Sequence, residues 1–60
     1  MMTRKDYIKT ANILNRYFRE TVTTETEASF DAMVNDFADM FSMDNERFMR
    51  TRFVDSVYEV

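Results

Sequence analysis

Phe30-Asp31-Ala32-Met33-Val34-Asn35-Asp36-Phe37-Ala38-Asp39-Met40-Phe41 is the stretch on which the fold of this chain turns. Large apolar residues at 30, 33, 34, 37 and 41 recur in steps of three and four, the repeat of one face of an α-helix. Met40 stands at the edge of that stripe. Asp31, Asn35, Asp36 and Asp39, with Ser42 beyond, fill much of the other face. A half-buried strand would instead alternate at every second residue. On the N-terminal side, Thr24 followed by Glu27 matches a capping box, and Glu25 adds a charge that suits a helix N-terminus. The pattern therefore predicts a helix that starts at Thr24 and stops near Met43, where Asp44-Asn45 offers turn chemistry.

Toward the N-terminus, a second helical pattern begins at Thr3. Thr3 is placed as N-cap with Asp6 at the third helical position, and Met2 and Tyr7 have the spacing of a hydrophobic staple. Tyr7, Ile8, Ala11, Leu14 and Phe18 form its apolar stripe, which Ile13 and Tyr17 widen. Lys5, Lys9, Asn12, Arg16 and Arg19 gather opposite. The β-branched run Thr21-Val22-Thr23-Thr24 predicts an end near Glu20. Toward the C-terminus, Met49, Phe53, Val57 and Val60 align on a shorter helix running from Asn45 or Met49 toward Glu59, with Phe48 just before it. Sequence leaves open whether Asn45 to Phe48 is a separate turn. Met33 and Met49 are expected in the core as stripe positions.

The chain has no Gly and no Pro, the residues on which the many tight turns of a sandwich or barrel depend. The expected fold is all-α: a small bundle of two long amphipathic helices plus a shorter C-terminal helix, one domain over residues 1–60. Ordering so short a chain costs about 1.5 kcal/mol per residue, so burial and entropy nearly balance. Disulfides are excluded because there is no Cys, and with no His either a structural zinc site has no ligands. Stability must come from regular helix packing, from association, or from both. The same absences remove nucleophilic catalysis by Cys or by a His-activated Ser. Asp36 and Asp39 share a helix face, but a calcium loop needs several oxygens from a turn. No enzyme activity and no cofactor are expected.

Charge is unevenly distributed. Residues 1–20 carry five basic and two acidic groups; residues 21–43 carry five acidic groups and no basic one. The plain reading is that the two long helices attract each other across an antiparallel pair; the sharper one is a pair of faces that steer partners. Lys5, Lys9, Arg16 and Arg19 would form the nucleic-acid-binding face of an alternative reading, with Arg47, Arg50 and Arg52 as a second basic cluster. The net charge of −3 argues against that alternative. Six Met and six Phe exceed what a core of this size easily hides, and Met suits adaptable contact surfaces. Met40, Met43, Phe48 and Tyr58 are the expected partner contacts, for a protein partner, for self-association, or for both. No apolar run approaches the roughly 18 residues of a membrane span, and Met1 to Asp6 has no apolar segment of the signal-peptide kind. A cytoplasmic location is expected.

Two short motifs carry a resemblance. Met2-Thr3-Arg4-Lys5-Asp6-Tyr7 resembles the start of small phage and prophage accessory proteins, which often carry Asp-Asn-Pro-Arg-Phe and a second Arg-Phe near the C-terminus. Here these are Asp44-Asn45-Glu46-Arg47-Phe48 and Arg52-Phe53, with Glu46 in place of the proline. The resemblance spans both ends and leaves the middle unmatched. It implies a phage-type origin and a host-cell setting, and it supplies no activity and no functional residue. Its shared residues read as structural: Thr3 caps the first helix, Asp44 or Asn45 caps the third, and Phe48 and Phe53 plug the core. The resulting expectation is a small accessory protein that binds another protein. A nucleic-acid-associated protein is the alternative, and a purely structural virion component fits equally well.

Overall fold

The computed structural model describes residues 3–59, and three helices account for its regular structure: α1 (Arg4–Thr21), α2 (Glu27–Asp44) and α3 (Arg50–Val57). The expected staple at Met2 and stripe position at Val60 lie outside the described residues. At the start of α1, the Asp6 carboxylate accepts from the Thr3 backbone N–H at 2.9 Å and from the Thr3 hydroxyl at 3.2 Å. These bonds hold the Asp6 carboxyl below its usual value, the backbone bond contributing most.

A chain without glycine needs another way out of its helices. No described residue has positive φ. Instead α1 and α2 end on extended residues, Val22 at φ −73° and ψ 129° and Asn45 at φ −147° and ψ 112°. The chain then turns on hydroxyl and amide side chains. The Thr23 N–H donates to Thr26 Oγ1 at 2.9 Å, and the Thr26 N–H returns to the Thr23 carbonyl at 3.1 Å. This threonine turn displaces the expected capping box: α2 starts at Glu27 behind Thr26, not at Thr24. After α2, Asn45 Oδ1 accepts the Arg47 N–H at 2.9 Å, and the Phe48 N–H bonds the Asn45 carbonyl at 3.0 Å. Residues 45–48 are thus a separate turn. The N-cap of α3 is Met49, with extended backbone, rather than Asp44 or Asn45.

The core is built from Tyr7, Ala11 and Leu14 of α1, Phe30, Val34, Ala38 and Phe41 of α2, and Phe53 and Val57 of α3. Ring contacts fix the topology. Tyr7 lies 4.9 Å from Phe41, and Phe41 lies 5.4 Å from Phe53. Phe18 lies 5.8 Å from Phe30 and 5.0 Å from Tyr58. The start of α1 therefore meets the end of α2 and the start of α3, an up-down-up bundle. Between the two aromatic ends lies a layer of smaller residues, Ala11, Leu14, Val34, Ala38 and Val57. α3 packs more closely on α1 and on α2 than those two pack on each other. Asn15 ties α1 to the end of α3, donating to the Val57 carbonyl at 2.9 Å and the Glu59 carbonyl at 2.6 Å; such C-terminal carbonyls have no partner within their own helix.

Two core expectations are corrected. Met33 is 40% exposed because α2 turns Phe30, Val34, Ala38 and Phe41 inward, leaving Met33 on the flank. Met49 is 58% exposed because it precedes α3 and so lies off the helical stripe. Ile8, Ile13 and Tyr17 are likewise half-exposed edges of α1. The ion pair seen between helices joins α3 to α2, Arg50 to Asp39 at 2.5 Å, with Arg50 also donating to Asn35 Oδ1 at 3.0 Å. Both side chains are well exposed, so the pair contributes about 0–1 kcal/mol.

Candidate ligand-binding cleft

A cleft of about 490 Å³ opens where the first turns of α1, the 45–49 segment and α3 converge. Tyr7, Phe48 and Phe53 form its inner wall. Phe48 is half-buried, held by rings at 4.7 Å (Tyr7), 5.5 Å (Phe41) and 5.6 Å (Phe53). Ile8 and Met49 add apolar surface that is 51% and 58% exposed. Around this apolar floor stand three exposed guanidinium groups, those of Arg4, Arg47 and Arg52. Among the described residues, no carboxylate lines the cleft. Its volume lies within the usual range of small-ligand sites.

The Tyr7 hydroxyl is buried and has no hydrogen-bond partner among the described residues. An unpaired buried donor of this kind costs about 1–3 kcal/mol. The start of α3 is also uncapped: Met49 supplies no side-chain acceptor as N-cap, and the first turn of α3 holds no acidic residue. The positive end of the helix dipole therefore sits beside the cleft, since Met49 and Arg52 both line it. The local field favours an anion, on a protein whose net charge is negative.

The four expected partner contacts do not form one patch. Met40 and Met43 are 50% and 89% exposed on α2. Phe48 and Tyr58 are instead half-buried and packed against opposite ends of the core; each is drawn inward by neighbouring rings. Tyr58 also donates its hydroxyl to Asp31 Oδ1. Burial, aided by the Asp31 carboxylate, pushes the Tyr58 hydroxyl well above its usual range, so it stays a neutral donor. Met40 has company of its own: with Met33, Asp36 and Phe37 it borders a shallow depression of about 180 Å³.

Lys5, Lys9, Arg16 and Arg19 are all exposed along α1, with the Arg16 guanidinium 5.5 Å from the Tyr17 ring centroid. They lie outside the cleft. The basic residue of α1 that does line it, Arg4, escaped the sequence reading. Its only signal was a position four residues before Ile8, on the same helix face. Among the described residues, no group of three or more acidic side chains is placed to hold a metal ion, and no helix is long and apolar enough to cross a membrane. Protein-family models, curated proteins and solved structures offer no match to the chain.

Proposed function

We propose that this chain is a small phage-type accessory protein that works by binding another protein, in the cytoplasm of a host cell, and that it catalyses no reaction. The observation that carries the reading is the set of methionines left outside a closed core. Met33, Met40 and Met43 all lie on α2 and remain 40%, 50% and 89% exposed. Flexible, polarizable side chains on one helix suit a surface that moulds itself to a partner. The small size of the core points the same way, because a bound partner stabilises the folded form by mass action. The phage-type origin rests on the two terminal motifs alone.

A photo-crosslinking residue at position 40, with one at position 9 as control, tests this reading in cells that express the protein. Position 40 is expected to crosslink to one defined protein or to a second copy of the chain, and a Met43→Glu background is expected to weaken that product. Equal, diffuse crosslinking from both positions, together with a concentration-independent monomer in sedimentation, would refute it.

A further inference from the structure

We infer that the cleft between α1, the 45–49 segment and α3 receives an acidic, apolar segment of the partner protein. Carboxylates of that segment lie against the arginine rim, and an apolar side chain rests on the floor. The inference deepens the protein-binding reading by naming the chemistry of the partner.

Three observations converge on this occupant. Arg4, Arg47 and Arg52 line the cleft, and none is paired with a carboxylate among the described residues. Arg50, one turn away, shows what a satisfied arginine of this protein looks like: it holds Asp39 and Asn35. The N-terminus of α3 beside the cleft lacks both a side-chain cap and an acidic first turn. Finally, the wall between these groups is apolar, so a ligand carrying only charge would leave Ile8, Phe48 and Met49 unmatched.

The same observations favour a peptide over a nucleic acid. Stacking of bases needs exposed aromatic faces, but Tyr7 and Phe53 are buried and Phe48 is half-buried against them. A polyanion longer than the cleft would also run onto a protein of net charge −3, whose segment 21–43 carries five acidic groups and no basic one. A short segment confines its charge to the arginine rim.

Fluorescence anisotropy of the full chain with a labelled short peptide of alternating glutamate and leucine is the test. Three comparison ligands accompany it: the same peptide with lysine for glutamate, the same with serine for leucine, and a single-stranded oligonucleotide of similar length. The glutamate–leucine peptide is expected to bind best, and more weakly as salt rises. Arg47→Glu with Arg52→Glu should lower its affinity by about tenfold or more, with Arg47→Gln and Arg52→Gln as the milder pair if charge reversal disturbs folding. No peptide binding, equal binding of the lysine peptide, or tighter binding of the oligonucleotide would overturn the inference. Loss of the cleft with persistent crosslinking from position 40 would leave the protein-binding reading standing, so the two fail separately.

Discussion

Tyr58 and Tyr7 occupy the aromatic clusters at opposite ends of one core, yet only Tyr58 has a partner for its hydroxyl. Tyr58 stacks edge-on against Phe18 and Phe30 and donates a hydrogen bond to Asp31 on α2. That end is further closed by Asn15, which takes up the carbonyls at the end of α3. Tyr7 is packed as tightly, between Phe41 and Phe48, but its buried hydroxyl has no hydrogen-bond partner among the described residues, at the end where the arginine-rimmed cleft opens. One end of the bundle is thus polar-satisfied and closed, and the other is unsatisfied and open. Natural proteins rarely leave buried polar groups unpaired without a reason. The contrast therefore separates the end that stabilises the fold from the end suited to a ligand.

The largest effect should come from the hub of the Tyr7 cluster. Phe41 is 1% exposed and touches the rings of Tyr7, Phe37, Phe48 and Phe53. Phe41→Ala is expected to cost about 3–5 kcal/mol, enough to unfold much of so small a domain, as loss of the far-ultraviolet helical signal would report. Phe37 lies on the flank and is only half-buried, so Phe37→Ala should cost clearly less than Phe41→Ala in thermal melts. Equal losses would mean that the core is not organised around Phe41.

Next in size is the closed end. Tyr58→Phe removes a hydrogen bond to a carboxylate, and a loss of about 1–2 kcal/mol is expected in chemical denaturation. Its pH signature has a definite sign. The folded Tyr58 value lies above the ordinary tyrosine value of about 10, so its stabilisation is complete below that pH. Above it, the unfolded phenol ionises while the folded one holds its proton, and stability falls as pH rises toward the folded value. Tyr58→Phe should flatten that alkaline slope, and an ultraviolet titration of the variant should lack a late-ionising phenol that the parent shows. An unchanged alkaline slope in the variant would remove the distinction between the two ends.

The acid side should respond more weakly. Asp6 is held below its usual value by the Thr3 bonds, so its contribution is present above the unfolded carboxylate range and is lost as pH falls through the lower folded value. Asp6→Asn should therefore reduce the acid sensitivity of the melting temperature by a small amount. Smallest of all is Tyr7→Phe in the free protein. Removing a donor that has no acceptor should leave stability unchanged or slightly raised. A marked loss would show that the hydroxyl has a partner after all, and the open end would then resemble the closed one.

Much of this fold was legible from residue spacing. The stripes at Tyr7, Ala11 and Leu14 and at Phe30, Val34 and Phe41 set two helices and their inward faces, because burial follows the helical repeat. Thr3 and Asp6 marked the start of α1 because a cap is a local bond. Reading failed where two local solutions competed. Thr24 and Thr26 both offer a hydroxyl ahead of Glu27; the Thr26 hydroxyl closes the turn with Thr23 and places Thr26 at the N-cap position without a side-chain cap bond. It failed again at Ala38, which is fully buried. A small residue carries little hydrophobic signal, yet it fits where helices approach closely.

By itself the sequence determined the helical class, the three segments and the absence of any disulfide, since these follow from composition and from bonds within a few residues. Only the tertiary structure decided which apolar residues stay outside and where the charges meet. Asn15 and Val57 are distant along the chain and bonded in space, and Arg4 and Arg52 come to line one cleft, because α3 packs along α1. The cleft is a product of that packing, as are the unpaired Tyr7 hydroxyl and the satisfied Tyr58. Helical periodicity states which face of a helix is apolar; it does not state what the neighbouring helix brings to it.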